Sequence, residues 1–395
     1  MPPRDRKIAL IGKDVITPFK RIRNGMVIID GERISYVGPV IDIPSTEKIE
    51  VIDASKYHIV PGFIDIHAHG ALGCNVMDAS IESLRKISEH FARHGVTAFL
   101  ATTFTAPHER LLSVVKSVHM SVNSVTSGAE ILGIHLEGPW LNKEKAGSQP
   151  SRWLRLPSKE EFLELYKASN GIIRMVTIAP ELKGAIEVIE IARKMGVVPS
   201  AGHTLATFEC MIAAQKAGLS HITHMFNAMG AFHHRSPGPV GAGLIIDDLT
   251  ADVIVDGVHV HPSVVKLLIR VKGVDKICLI TDSTSFSGLK PGEYKIFGDT
   301  KVIVERGACW LPNGRLFGSV LTMDDAVRNV IKFAGIPLED AIRMASYNPA
   351  RILNMSQEMG SLTVGKVANI TIIDNNICVK LTIVRGNIVF RSDSI

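Results

Sequence analysis

The chain has 395 residues, 46% hydrophobic and 21% charged, which is the balance of a soluble globular protein with a large core. The net charge of +5 is small for this length, and no Lys/Arg run carries interleaved aromatics. A nucleic-acid surface is therefore excluded, while anionic small ligands are mildly favoured.

Length alone suggests two or three domains, although an α/β barrel uses most of such a length as one unit. The opening MPPRDRKIALIGKDV has charges but no apolar h-region, so no signal peptide is expected. No stretch approaches eighteen uninterrupted apolar residues, so no membrane span is expected. Cys74, Cys210, Cys278, Cys309 and Cys378 are scattered and form no CxxC pair. They read as reduced thiols of a cytoplasmic protein.

Up to about Tyr57 the chain is β-like. KIALIG, GMVIID and RISYVG are short apolar runs separated by turn residues such as Asp30-Gly31. The other end matches it: GSLTVGKVANITIID and KLTIVRGNIVF alternate apolar and polar positions. The expected division is residues 1–58 plus 355–395 as one small β-sandwich domain, and 59–354 as the other domain.

In that middle stretch strand-like runs alternate with amphipathic helical ones, the signature of βα units. The runs are GFIDIH, VTAFLAT, ILGIHL, IRMVTIAP, VVPSAGH, LSHITH, ADVIVDG and KICLITD. SIESLRKISEHFARHG, SKEEFLELYKASN and AIEVIEIARKMG are among the helices between them. Eight parallel strands predict a (β/α)8 TIM barrel. The stretch HMFNAMGAFHHRSPGPVGAG reads as a Gly/Pro-rich loop over the site. A β-hairpin insertion is expected near 293–312, and LTMDDAVRNVIKFAG then resumes as helix.

A TIM barrel does its chemistry at the C-terminal ends of its strands. Run one ends in His67 and His69, run three in Glu137, run five in His203, run six in His224 and run eight in Asp282; His259 follows run seven. Residues two apart on a strand share a side, so both imidazoles of His67-Ala68-His69 can reach one ion. Imidazole and carboxylate ligands suit zinc, iron, manganese or cobalt. Asp282 fits a metal ligand, a general base or an N-cap, since Thr281-Asp282-Ser283 is also good capping chemistry. Arg235 and a nearby Asn amide are sensible partners for a phosphate.

The segments PGFIDIHAHG, GIHLEGPWLN, SAGHTLAT, HITHMFNAM, DGVHVHP, ITDSTSFSG, GSVLTMDDAV and NPARILNMSQEMGSLTVGKVAN together resemble the amidohydrolase superfamily. Within it they resemble the branch that deacetylates amino-sugar phosphates. The match spans nearly the whole chain in order. It implies a metal-bearing barrel joined to a β-sandwich made from both chain ends. By this resemblance Glu137, His203 and His224 bind the main divalent metal. His67 and His69 bind a second, with Glu137 bridging. One or two ions per subunit follow, zinc or iron first, with manganese, cobalt and nickel as alternatives. Asp282 is then the general acid/base. Asn227, the backbone at Ala228, Arg235 and His259 match the sugar-phosphate positions. The arginine comes from a neighbouring subunit, which implies a homodimer.

The implied reaction is hydrolysis of the acetamide of N-acetylglucosamine 6-phosphate, a small-molecule substrate. The alternatives are another N-acyl amino-sugar phosphate, such as the galactosamine isomer, a cyclic amide, or a non-catalytic scaffold. One position departs from the pattern. After HLEGP the branch usually carries Gly-small-His, whose His contacts the substrate near the scissile amide. Here Ala146-Gly147-Ser148-Gln149 puts Gln149 in that place. Gln donates a hydrogen bond but carries no charge. Loss of a polarising donor at an oxyanion costs a factor of roughly a hundred or more.

Overall fold

The computed structural model describes residues 7–41, 49–122, 124–296 and 300–395. The opening six residues of the N-terminal reading, and the tip of the expected hairpin, lie outside the described residues.

Eight short strands pair in chain order into one parallel sheet. They are Phe63–Ala68, Val96–Thr102, Glu130–Glu137, Ile173–Ile178, Val198–Ala201, His221–Ile222, Thr250–Ile254 and Ile277–Ile280. The chain beyond the eighth returns to the first. The Asp282 N–H donates to His67 O at 2.9 Å, the His69 N–H donates to Ser283 O at 2.8 Å, and Ala68 bridges Ser283. The sheet therefore closes into the expected barrel. Strand burial explains part of the sequence signal: Val96–Thr102 is buried throughout and carries no charged residue, while Phe63–Ala68, equally buried, alternates apolar residues with Asp65 and His67 because those two serve the site.

Helices Ile81–Arg93, Lys159–Ala168 and Ala185–Lys194 begin where the sequence provides stops and caps. The Ser158 hydroxyl accepts the Glu161 N–H at 3.2 Å, satisfying an otherwise orphaned donor. On Ala185–Lys194 the buried face is Ala185, Val188, Ile189 and Ala192, the i, i+3, i+4, i+7 stripe of a helix lying on a sheet.

The chain ends share a seven-stranded sheet. Its central strand, Ile49–Pro61, pairs in parallel with Lys7–Ile16 and antiparallel with Ile370–Ile373. It then runs straight into the first barrel strand. Strands from both chain ends share a separate apolar core that includes Ile8, Val27, Ile370 and Leu381, and Arg385 reaches Glu32 at 2.7 Å.

Two stretches differ from the sequence reading. The Gly/Pro-rich segment read as a loop over the site contains a helix, Gly238–Ile245, with proline in its first turn. Proline is tolerated there because that N–H has no helical partner to lose. The hairpin after the eighth barrel strand extends into four antiparallel strands, Gly292–Ile296, Thr300–Glu305, Ala308–Trp310 and Leu316–Ser319. No helix among the described residues is long and apolar enough to cross a membrane.

Candidate active site

The barrel delivers six polar side chains to one rim. Glu137 closes the third strand; His67 lies in the first, and His69 follows its last residue. His203, His224 and Asp282 lie just past the fifth, sixth and eighth strands. These last three have φ of 48°, 32° and 48°, a left-handed conformation that non-glycine residues rarely adopt. Such residues cost of order 1–3 kcal/mol each and collect at functional sites, where the surrounding fold holds them. All six are buried.

Their donor atoms converge as two trios. In the first, Glu137 Oε1 lies 3.3 Å from His203 Nε2 and 3.1 Å from His224 Nε2, and the two imidazole nitrogens are 3.1 Å apart. In the second, His67 Nε2 and His69 Nε2 are 3.3 Å apart, and lie 3.4 and 3.2 Å from Asp282 Oδ1. Glu137 joins the trios: its Oε1 is 3.5 Å from His67 Nε2 and its Oε2 is 3.4 Å from His69 Nε2.

These separations fit divalent metal ions. Atoms about 2.0–2.1 Å from one tetrahedral ion are about 3.3 Å from each other. The outward ring nitrogens agree. His203 Nδ1 donates to Lys145 O at 2.7 Å and His69 Nδ1 donates to Thr102 O at 3.2 Å. A carbonyl only accepts, so in the neutral rings the proton sits on Nδ1 and the Nε2 lone pair faces the centre.

The charges at the rim tell the same story. Burial disfavours a charged His69, but Asp282 and Glu137 outweigh it and hold the ring up to about 9. His224 behaves alike: burial opposes its charge, and Glu137, with Asp282 and Asp252, lifts it to about 9. Burial pushes the Asp282 carboxyl up, yet His67, His69 and His224 bring it down to about 2. The carboxylates thus draw positive charge to this rim.

A second layer holds these groups, and sequence reading missed it. Asp65 lies two residues before His67 on the same strand face. It accepts the His67 N–H at 3.2 Å and the Thr281 hydroxyl at 2.5 Å, and burial raises it to about 6 despite those bonds. Asp252 accepts the His224 N–H and pairs with His221 Nε2 at 3.1 Å. The Asp65-His67-His69 alternation was a usable signal; nothing near Asp252 in sequence points to His224.

The other expected residues are placed unequally. Asn227 is half-buried and its amide reaches back to His224 O at 3.3 Å. Ala228 has φ 51°, and its carbonyl accepts the Thr204 N–H at 3.1 Å. His259 Nδ1 is fixed by Asp256 Oδ2 at 2.6 Å. Arg235 is exposed; its guanidinium contacts His234 at 2.8 Å and is not brought to the cluster within this chain. Gln149 is buried, and its amide contacts Glu137 and Thr105. An aromatic-rich cavity of about 830 Å³ lies beside the second trio, lined in part by Phe104, Phe286 and Phe317. The Phe104 ring packs against His69, with centroids 4.2 Å apart.

A closed parallel barrel with buried histidines and carboxylates at its C-terminal rim defines the class of metal-assisted barrel hydrolases. The chain belongs to the amidohydrolase family, whose model matches residues 58–389. It is 38% identical to the N-acetylglucosamine-6-phosphate deacetylase of Bacillus subtilis (strain 168), over 97% of this chain and 98% of that protein. It is 33% identical to the N-acetylgalactosamine-6-phosphate deacetylase of Escherichia coli O157:H7, over 91% of this chain and 95% of that one. A mutant N-acetyl-D-glucosamine-6-phosphate deacetylase from Mycobacterium smegmatis, solved in complex with N-acetyl-D-glucosamine-6-phosphate, superposes with a TM-score of 0.90 at 32% identity. That match covers 97% of this chain and 99% of the other.

Proposed function

We propose that the protein hydrolyses the acetamide of N-acetylglucosamine 6-phosphate, giving glucosamine 6-phosphate and acetate. The observation that carries this reading is the pair of metal-shaped trios, one of them including Asp282, joined by Glu137. The similarity to deacetylases over nearly the full chain supports the substrate class.

Glu137, His203 and His224 would hold one divalent ion, and His67, His69 and Asp282 a second. Zinc or iron suits the imidazole and carboxylate donors best, with manganese, cobalt or nickel as alternatives. When bound, the metal supplies Lewis acidity, polarising the acetyl carbonyl and lowering the pKa of water. Asp282 is ionised at neutral pH and takes a proton from the attacking water as its oxygen bonds to the carbonyl carbon. It returns that proton to the sugar nitrogen as the C–N bond breaks, so acetate and the free amine leave. Asn227, the Ala228 backbone and His259 would orient the sugar phosphate. Arg235, exposed on its own subunit, would serve the neighbouring site of a homodimer. The five unpaired cysteines fit a reducing, cytoplasmic setting.

The test is acetate release from N-acetylglucosamine 6-phosphate by protein loaded with zinc or iron, against a chelated control and against the galactosamine isomer. Release with the glucosamine form above control supports the reading. No release with either sugar would overturn it, and turnover of the galactosamine form alone would reassign the epimer.

A further inference from the structure

We propose that Gln149 is a positioning residue: it fixes the orientation of the Glu137 carboxylate, and so sets the affinity of the His67, His69, Asp282 trio for the second of two ions. The proposal rests on the metal roles given above. Gln149 is only 4% exposed, and both ends of its amide are spent. Its Oε1 accepts the Thr105 N–H at 2.8 Å, and its Nε2 donates to Glu137 Oε2 at 2.6 Å. A backbone N–H can only donate, so the amide cannot be reversed: the oxygen must face Thr105 and the NH2 must face the carboxylate.

That clamp divides the two oxygens of Glu137. Oε1 faces His203 and His224, with His67 of the second trio at 3.5 Å, while Oε2 stays turned toward His69 at 3.4 Å. The terminal torsion of a glutamate is broad and only weakly self-determined. Released, the carboxylate can swing both oxygens onto the His203 and His224 side and withdraw its share from the second trio. A neutral amide suits the task, because a cationic donor at Oε2 would compete with an ion for the same negative charge. The loop carrying Gln149 orders the first trio as well: Lys145 O takes the His203 Nδ1 proton at 2.7 Å. One short segment after the third barrel strand thus sets a histidine of one trio and the carboxylate shared by both.

The experiment measures zinc alone. Wild-type protein, Gln149→Leu and Gln149→Asn are stripped, reloaded, and titrated against a chelator of known affinity, with bound zinc counted by mass spectrometry. Leucine keeps the bulk and loses the amide; asparagine keeps the amide but is too short to span both partners. The expected result is two ions in wild type, with the first bound normally by both variants and the second weakened by roughly 10–100-fold. Melting temperature of the stripped proteins serves as the structural control, and asparagine covers failure of the leucine variant to fold. Unchanged affinities for both ions, or equal weakening of both, would overturn the proposal. A wild type that takes up a single ion would overturn it too. A wild type that takes up none would remove the metal reading itself, which distinguishes the two failures.

Discussion

Asp282 shows how one residue can satisfy several sequence readings. It lies just past the last barrel strand, its N–H closes the barrel onto His67, and its carboxylate lies within 3.4 Å of both histidines of the second trio. Asp282→Asn should retain an ion at Glu137, His203 and His224 yet lower kcat by about 10²–10⁴-fold. Acetate release with parallel metal analysis checks this, and a variant keeping most of its turnover would show that the proton passes elsewhere. The histidines carry a pH prediction. In the metal-free folded chain His69 and His224 stand at about 9, against about 6.5 when unfolded. Between those values the folded state holds protons that the unfolded state has released. Their contribution to stability is therefore full below about pH 6.5 and is lost as pH rises through about 9. Urea midpoints of chelator-treated protein across that window should fall with pH; a rising midpoint would contradict the assignment. Bound metal should flatten the fall, because it displaces those protons.

At the scale of the element, the third barrel strand and the loop after it explain why the site is precise. Gly133 sits in that strand at φ 148°, and a Cβ there would lie 2.2 Å from Ile172 O. Backbone cannot yield as a side chain can, so Gly133→Ala should destabilise by about 3 kcal/mol. Thermal melts read the shift, and a melting point equal to wild type would show that the strand register tolerates it. Gly147, at φ 60°, brings the loop against His203, where a Cβ would meet Cε1 at 3.3 Å. Sequence made this strand legible through ILGIHL, because fully buried strands are continuously apolar. It did not reveal the helix Gly238–Ile245, because glycine and proline punctuate loops far more often than they build helices. Nor could it say what Gln149 touches. Its two partners come from different barrel units, 44 and 12 residues away in the chain.

At the scale of the molecule, metal and assembly should both be measurable. Chelation should lower the melting temperature and readdition of zinc should restore it, since an ion at about 100 times its Kd stabilises by about 2.7 kcal/mol. A melt indifferent to chelation would argue against ions bound by the folded chain. Arg235→Ala should raise KM by about tenfold or more through loss of a charge-assisted phosphate contact. If the arginine serves a neighbouring subunit, mixed dimers of Arg235→Ala and Asp282→Asn should regain, at limiting substrate, turnover above that of either variant alone. Absence of recovery after confirmed subunit exchange would place the arginine in its own site.

Hydrophobic period and polar strand ends in the sequence by themselves determined the barrel, the pairing of the chain ends in one sheet and the residues gathered at the rim. Those features are written locally: a buried strand must be apolar, and the residue that ends it must face the barrel mouth. Only the tertiary structure decided how the rim is divided. It grouped six side chains into two trios, brought Asp65 and Asp252 behind the histidines, and turned Gln149 onto Glu137. Such contacts join residues far apart in the chain. No local pattern encodes them, because they are fixed by the closure of the barrel and the path of each loop across its mouth.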